Sequence, residues 1–207
     1  MQDLKNIVFD LGGVLIDWNP RYLFTEVFEN KDELDYFLTE ICSSDWNEEQ
    51  DGGRSLADGT EALIKRFPEY EGQIRLFYQE WHKMLGGEIT ANVDIFRNLV
   101  DHHQYGLFAL TNWSAETFPI ALERYAFLQD FAGILVSGVE GKRKPFREFY
   151  ELMLDRYDIQ PEETLFIDDN KRNVLAAEKI GLRTIHLPPG ADLGKALSQW
   201  HVHLDTN

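Results

Sequence analysis

Polar and acidic side chains stand where several short apolar segments of this sequence end. Asp10 comes directly after Ile7-Val8-Phe9, with Gly12 and Gly13 close behind it. Further residues of this kind stand beyond later apolar segments: Thr111, Asn112, Lys144, Asp168 and Asp169. Two or three carboxylates with one lysine and one hydroxyl can bind a divalent cation together with an anionic group. Mg²⁺ suits such a set best, because it is commonly held by one or two carboxylates plus a substrate phosphate.

These side chains meet only if the apolar segments are strands of one sheet. The segments have the continuous hydrophobicity of buried strands, and helical patterns lie between most of them. This alternation predicts a doubly wound α/β fold, in which helices cover both faces of a parallel sheet. Ligands bind at the carboxyl edge of such a sheet. The predicted strands are 7–9, 107–110, 134–136, 165–167 and 184–187, and the predicted helices are 114–125, 146–157 and 171–180.

A long segment between the first two predicted strands interrupts this alternation. About ninety residues separate the two strands, which is more than an ordinary crossover needs. Helical patterns dominate the segment, broken by Asp51-Gly52-Gly53 and by Pro68. We therefore predict an inserted helical cap domain over residues 17–87 and a core domain formed by residues 1–16 and 88–207. The helical stretches of the cap are 20–28, 31–41, 60–67 and 70–85.

Four short motifs occur in the order and spacing of those of the haloacid dehalogenase superfamily, which this chain resembles over most of its length. The motifs are Phe9-Asp10-Leu11-Gly12-Gly13-Val14-Leu15, Leu110-Thr111-Asn112, Arg143-Lys144-Pro145 and Phe166-Ile167-Asp168-Asp169-Asn170. Each motif alone is weak, whereas four in order at predicted strand ends are specific. The resemblance implies a Rossmann-like hydrolase core with a helical cap inserted after the first motif.

The resemblance also implies catalytic roles for individual residues. Asp10 would be the nucleophile that receives a phosphoryl group. Thr111 would hydrogen-bond the transferring group, and Lys144 would steady both nucleophile and phosphate. Lys144 fits this role better than Lys142 or Arg143, because the family motif has proline directly after the lysine.

The same resemblance implies an Mg²⁺ site formed by Asp10, the backbone carbonyl of Gly12 and Asp169, with Asp168 close by. Asn173 stands where many relatives have a second acid. Dehalogenases of the superfamily use the same nucleophile without a metal and have small hydroxyl residues in place of Asp168 and Asp169. Without a cation, two carboxylates beside a nucleophilic carboxylate would repel one another. We therefore favour phosphoryl transfer, with a metal-independent 2-haloacid dehalogenase as the alternative.

Gly12 departs from the usual phosphatase pattern, in which an aspartate two residues after the nucleophile protonates the leaving group. Loss of a general acid costs about a hundredfold to ten-thousandfold with a poor leaving oxygen, and less with a good one. Some bacterial sugar 1-phosphate phosphatases of the superfamily resemble this chain in having glycine there. The departure favours a sugar 1-phosphate or another phosphate whose oxygen leaves readily. It also leaves open a protein that binds a phosphorylated metabolite without turnover.

Further substrate contacts are expected from the cap and from the second motif. Arg54 lies in a cap loop of the kind that carries specificity residues in related proteins. Trp113 follows Asn112, and both are assigned to the substrate pocket with Thr111 and Lys144. The alternatives are that Arg54 is an ordinary surface residue and that Trp113 is a packing residue.

The composition argues against several other classes of protein. The formal net charge of -16 in 207 residues opposes binding to nucleic acid, whose phosphates attract basic proteins. No apolar stretch is long enough for a transmembrane helix and the first residues lack a signal-peptide pattern, so we expect a cytoplasmic protein. Cys42 is the single cysteine, which excludes an internal disulfide. The expected partner is a small phosphorylated substrate, and the sequence leaves monomer and homodimer both open.

Overall fold

A parallel sheet of five strands lies at the centre of the computed structural model, which describes residues 3–202 and 204. The strands of the chain are β1 (Asn6–Phe9), β2 (Ile16–Trp18), β3 (Leu85–Glu88), β4 (Gly106–Thr111), β5 (Gly133–Val136), β6 (Thr164–Asp168) and β7 (Arg183–His186). The order across the central sheet is β5-β4-β1-β6-β7, and each neighbouring pair is parallel. The predicted α/β fold with a parallel sheet is confirmed.

Helices bury both faces of this sheet. In β1, Ile7 and Phe9 belong to one hydrophobic cluster and Val8 to another, and none of the three is exposed to solvent. Successive side chains of a strand point to opposite faces, so this pattern requires cover on both sides. Of the described helices, none has the length and apolar sequence that crossing a bilayer requires.

The described part of the chain contains eleven α-helices, and five of them lie in its second half, after core strands. The helices are α1 (Arg21–Phe24), α2 (Lys31–Tyr36), α3 (Ser44–Asp51), α4 (Leu56–Arg66), α5 (Glu71–Gln79), α6 (Thr90–His102), α7 (Phe118–Arg124), α8 (Ser137–Glu140), α9 (Arg147–Tyr157), α10 (Lys171–Glu178) and α11 (Leu193–Ser198). A π-helical segment, Phe37–Ile41, follows α2. The 3-10 helices are Pro68–Tyr70, Trp81–Met84, Ala126–Asp130 and Pro161–Glu163.

The long insertion leaves and re-enters the core at one place. β2 and β3 pair antiparallel, so the two ends of the insertion lie side by side. Helices α1 to α5 lie between these strands, and we name residues 19–84 the cap. Phe24 packs against Phe37 and Phe77 in its interior, with ring centroids 4.8 and 5.9 Å apart. The predicted domain limits at residues 17 and 87 remain a prediction.

One helix of the cap, α3, is not predicted by the hydrophobic pattern. Its sequence, SDWNEEQD, is almost entirely polar, so no apolar stripe marks it. The Ser43 side chain begins the helix by accepting a hydrogen bond from the backbone N–H of Trp46. Asp51, predicted to lie in a loop, is instead the last residue of this helix.

The predicted helix at 114–125 begins later than the sequence pattern suggests. Ser114 caps only a turn, since its Oγ accepts a hydrogen bond from the N–H of Glu116. Helix α7 then begins at Phe118, with Pro119 in its first turn. Proline fits this position because the first N–H groups of a helix have no partner within the helix.

Candidate active site

Three carboxylates meet at the carboxyl ends of β1 and β6. These strands are neighbours, and the N–H of Asp10 donates to the carbonyl oxygen of Ile167 at 2.8 Å. The register places Asp10 beside Asp168, at the end of β6, and Asp169 follows directly. One oxygen from each of the three carboxylates lies within 4.8 Å of the other two.

Lys144 lies between two of these carboxylates. Its Nζ is 2.9 Å from Oδ1 of Asp10 and 2.7 Å from Oδ2 of Asp168, and its side chain is wholly buried. Burial by itself would lower the pKa of Lys144, but the charges of Asp10 and Asp168 outweigh this effect and raise that pKa. Since a buried charge is costly unless it is paired, the lysine and the carboxylates stabilise each other.

Asn112 fixes the backbone of Lys144. The Oδ1 of Asn112 accepts a hydrogen bond from the N–H of Lys144, and its Nδ2 donates to the carbonyl of Lys144, both at 2.9 Å. Asn112 directly follows β4, which is the other neighbour of β1. The second and third sequence motifs are thereby joined beside Asp10.

Thr111 ends β4 with a buried hydroxyl. Its Oγ has no hydrogen-bond partner among the described residues. A buried hydroxyl without a partner costs free energy unless a bound group completes it. Thr111 therefore fits the role of a hydrogen-bond donor to a bound anion.

The first turn of α10 holds Asp168. Asn173 donates from Nδ2 to both carboxylate oxygens of Asp168 at 3.2 Å, and the N–H of Asn170 donates to Oδ1 at 2.8 Å. Asn170 also caps the helix, because its Oδ1 accepts from the N–H of Arg172. Asn173 thus supplies a neutral donor where many relatives have an acid, and it stabilises the charge of Asp168.

The charges of this cluster are balanced only in part. Burial raises the pKa of Asp10 to about 7, although Lys144 opposes the shift, and Asp168 and Asp169 add to it. Burial and the charge of Asp168 also raise the pKa of Asp169. A divalent cation would offset the repulsion among three carboxylates that share one lysine. Asp10, Asp168 and Asp169 could therefore hold Mg²⁺.

The two glycines of the first motif differ in what they require. Gly13 has a φ of +73°, and a Cβ there would lie 2.4 Å from Oδ2 of Asp169. Glycine at 13 therefore permits the close approach of Asp169 to the loop after β1. At Gly12 the φ is not left-handed, and a Cβ would meet no atom within 4 Å. The fold therefore leaves room for an aspartate at position 12, and its absence is not imposed by the backbone.

A cavity of about 250 Å³ opens onto the carboxylate cluster, with walls from both core and cap. Trp81 and Trp113 pack with ring centroids 5.5 Å apart and form an aromatic side together with Trp18. The core residues of the lining are Asp10, Gly12, Gly13, Asn112, Trp113, Asp169, Asn170 and Asn173, and those of α3 are Ser44, Asn47, Glu48 and Asp51.

The structure does not place Arg54 at this cavity. The side chain of Arg54 turns back along α3, where Nε donates to Oε1 of Gln50 at 2.5 Å and Nη2 to the carbonyl of Trp46 at 3.4 Å. Within the described chain, Arg54 is not one of the residues that line the cavity. The predicted pocket residues Asn112 and Trp113 do line it, while Thr111 and Lys144 are buried.

The α3 side chains are the main part of the site that sequence reasoning missed. Ser44, Asn47, Glu48 and Asp51 recur at the spacing of one helix face. This polar stripe after a Ser43 cap is the signal that could have found them. His186 was also missed, and its Nε2 lies 3.0 Å from the carbonyl oxygen of Asp169.

Comparison with known proteins decides the family. The model of the haloacid dehalogenase-like hydrolases matches residues 7–187, a range that contains the whole carboxylate cluster. The chain belongs to this family. The predicted superfamily and the prediction of a hydrolase are thereby confirmed.

Curated relatives of this hydrolase include enzymes named as phosphatases. The sesquiterpene phosphatase astK of Aspergillus oryzae is 30% identical over 183 residues, which cover 88% of this chain and 89% of that protein. The D-ribitol-5-phosphate phosphatase of Bacteroides thetaiotaomicron is 25% identical over 202 residues, which cover 94% and 97%.

A solved structure from the same family has the same fold. It is the structure of a haloacid dehalogenase family enzyme from Bacteroides thetaiotaomicron in complex with magnesium and inorganic phosphate. The two structures superpose with a TM-score of 0.69 at 22% identity, over 93% of this chain and 98% of that chain.

Proposed function

We propose that this hydrolase is a magnesium-dependent phosphatase in which Asp10 attacks the phosphorus of a small phosphorylated metabolite. The observation that carries the proposal is the contact of Asp10 with Lys144 inside a cluster of three carboxylates. Such a cluster suits a carboxylate nucleophile that works beside a divalent cation and a phosphate. The names of the two curated relatives support the same class of reaction.

The hydrogen bonds of Asp10 select its attacking atom. Oδ1 accepts from the N–H of Leu11 at 2.8 Å and contacts Nζ of Lys144, whereas Oδ2 accepts from no described residue. Oδ2 is therefore the oxygen that bonds to phosphorus as the bond from phosphorus to the leaving oxygen breaks. The resulting aspartyl-phosphate is then hydrolysed by water, which releases inorganic phosphate and restores Asp10.

The surrounding residues hold the phosphoryl group as its charge redistributes. Lys144 is fixed by Asn112 and faces Asp10, so its ammonium can contact a phosphoryl oxygen without reorganising. The unpartnered hydroxyl of Thr111 can donate to a second oxygen. Mg²⁺, held by Asp10, Asp169 and the carbonyl of Gly12 with Asp168 nearby, would supply positive charge against the phosphate.

The cavity and Gly12 bear on the identity of the substrate. A volume of about 250 Å³ suits a small metabolite, and the aromatic side suits an apolar face of a sugar or hydrocarbon. Gly12 cannot donate a proton, so an oxygen that leaves readily is favoured unless another residue of the site supplies the acid. We therefore propose a sugar 1-phosphate, or another phosphate with a good leaving oxygen, as the substrate.

The dehalogenase alternative is disfavoured by charge. A 2-haloacid carries its own carboxylate, which would face Asp168 and Asp169 without a compensating ion. A protein that binds a phosphorylated metabolite without turnover is favoured by Gly12 alone. Asp10, Thr111 and Lys144 together favour catalysis.

A phosphatase screen with and without magnesium tests the proposal. The panel contains sugar phosphates, nucleotides, acetyl phosphate and p-nitrophenyl phosphate, with 2-chloropropionate assayed in parallel for halide release. We expect magnesium-dependent phosphate release from at least one compound and no halide release. Halide release without metal would establish the dehalogenase, and binding without any turnover would establish the non-catalytic alternative.

A further inference from the structure

Asp51 brings a fourth carboxyl group to the cavity, from the cap rather than from the core. Asp51 is the last residue of α3 and lines the same cavity as Asp10. Its Oδ2 accepts a hydrogen bond from Nδ2 of Asn47 at 2.9 Å. No described lysine or arginine forms an ion pair with it. The carboxyl is thus held in place without a neutralising cation.

The surroundings of Asp51 favour its protonated form. Burial is the largest cause and, with the negative charges of Glu48 and Asp10, it raises the pKa of Asp51 to about 7. The Ser114 N–H and the charge of Arg143 oppose this shift but do not cancel it. A protonated carboxyl can keep the hydrogen bond from Asn47 through its lone pairs while its O–H points into the cavity.

Other polar groups on the described walls of the cavity are less suited to donate a proton. Glu48 is already engaged in an ion pair with Arg172. Asp10 and Asp169 belong to the carboxylate cluster. The remaining polar side chains are amides and one hydroxyl, which are poor acids: Asn47, Asn112, Asn170, Asn173 and Ser44.

The main chain of Asp51 is anchored to the core next to the second motif. Its carbonyl oxygen accepts a hydrogen bond from Oγ of Ser137, and Ser137 Oγ also accepts from the N–H of Trp113 at 2.9 Å. The side chain is held by Asn47 of the same helix. Docking of the cap therefore brings Asp51 to a fixed position beside Asn112 and the phosphate site.

We infer that Asp51 is the general acid of the reaction and stands in, from the cap, for the acid that is missing at Gly12. This inference rests on the proposed phosphatase function. In the first step, Oδ2 of Asp10 bonds to phosphorus, the bond from phosphorus to the leaving oxygen breaks, and that oxygen takes the proton of Asp51. In the second step, water attacks phosphorus and gives a proton to the Asp51 carboxylate, and the bond between phosphorus and Asp10 breaks. Asp51 ends protonated and Asp10 ionised, as at the start.

A leaving-group series with Asp51→Asn tests the inference. Values of kcat/KM are measured with magnesium for p-nitrophenyl phosphate, phenyl phosphate and alkyl phosphates. We expect the variant to lose about a hundredfold to ten-thousandfold on alkyl phosphates and far less on p-nitrophenyl phosphate, whose phenolate departs without a proton. The matched control is Asp45→Asn, which removes an exposed carboxylate from the same helix and should change neither value.

Each outcome of this series is decisive. Equal losses on aryl and alkyl phosphates would show that Asp51 only supports the cap, and unchanged kcat/KM on both would show that another group donates the proton. Either result would overturn the inference while leaving the phosphatase proposal intact. If the wild-type protein releases no phosphate from any member, the proposed function fails and the inference fails with it.

Discussion

The two walls of the cavity are built in different ways. The core wall consists of residues at the ends of β1, β4 and β6, which are held in register by backbone hydrogen bonds. The cap wall consists of the polar helix α3 and Trp81, and α3 contacts the core through the Glu48 side chain, whose partner is Arg172, and through the carbonyl oxygen of Asp51. Ladder hydrogen bonds fix the first wall, whereas α3 is held against the core by a few hydrogen bonds and ion pairs, such as those of Ser137 and Arg172.

This difference suggests how the chemistry is divided. Attack on phosphorus needs Asp10, Lys144 and the metal ligands at fixed distances, and the core supplies them. Protonation of the leaving group is needed only when a substrate is enclosed, so an acid on the cap acts only in the closed state. An aspartate at Gly12 would be present in both states.

Asp10→Asn should lower kcat/KM at least about a thousandfold, because the amide is nearly isosteric but cannot form an acyl phosphate. Circular dichroism and thermal unfolding should show a folded protein. Asp130→Asn, which replaces an exposed aspartate of the core, serves as the control. Retention of a tenth of the activity would remove Asp10 as the nucleophile.

Asp169→Asn should raise the magnesium concentration for half-maximal activity about ten- to a hundredfold, because a neutral amide is a poorer ligand for a hard cation. We expect magnesium to raise the melting temperature of the wild-type protein and to raise that of Asp169→Asn by less. The same change on the cap, Asp51→Asn, should leave the magnesium titration unchanged. An unchanged titration in Asp169→Asn would mean that the metal ligands are misassigned.

The pH dependence of alkyl phosphate hydrolysis should report Asp51. Because its pKa is raised to about 7 and the acid form is active, kcat/KM should fall as the pH rises above about 7, towards tenfold per pH unit. Asp51→Asn should lack this alkaline decline, although its rate is lower throughout. Ionisation of the substrate affects both proteins alike, so the ratio of the two pH profiles removes its contribution. Persistence of the decline in the variant would assign it to another group.

An aspartate at position 12 should partly replace the cap acid. The backbone at Gly12 has no positive φ and the space beside it is open, so Gly12→Asp should fold. In the Asp51→Asn background, it should restore alkyl phosphate hydrolysis about tenfold or more, because the core would then carry its own acid. Gly13→Asp, which would collide with Asp169, serves as the contrasting variant. If the folded double variant is no more active than Asp51→Asn alone, the defect of Asp51→Asn is not the loss of a proton donor.

Loosening the cap should have the smallest effect. Arg172→Ala removes the ion pair with Glu48, and a partly exposed pair is worth at most about 1 kcal/mol, or roughly a fivefold rise in KM. The control is Arg147→Ala, which removes an ion pair with Glu151 inside one core helix. A rise in KM that is equal in both variants would show that the α3 contact does not favour closure.

The core could be predicted from the sequence because its strands are covered on both faces. Val8, Phe108 and Phe166 lie in continuous apolar segments, and the polar residues after those segments are the ones that cluster. The carboxyl ends of neighbouring parallel strands lie at one edge of the sheet, independently of the conformation of the loops. The strand pattern is therefore enough to place Asp10 near Asp168.

The cap side of the site could not be predicted in the same way. Trp46 is the one apolar side chain of helix α3, and the position of the helix depends on contacts from residues distant in the sequence, such as Ser137 and Arg172. The resemblance to related caps pointed to Arg54, whereas the structure turns Arg54 towards Gln50 and presents Asp51 at the cavity. A docked polar helix leaves a capping signal in the sequence but no hydrophobic period.

Rapid acid quenching during turnover of p-nitrophenyl phosphate tests the division between core and cap most directly. Borohydride converts an aspartyl-phosphate to homoserine, so peptide mass spectrometry identifies the phosphorylated residue. If Asp10 is the nucleophile and Asp51 the acid, we expect phosphate on Asp10 in the wild-type protein and none in Asp10→Asn. In Asp51→Asn the phosphorylated fraction should be larger than in the wild-type protein. The last result is expected because Asp51 also takes the proton from the water of the second step. Phosphate on another residue would contradict the role of Asp10 as the nucleophile. A phosphorylated fraction in Asp51→Asn no larger than in the wild-type protein would contradict the role of Asp51 in the second step.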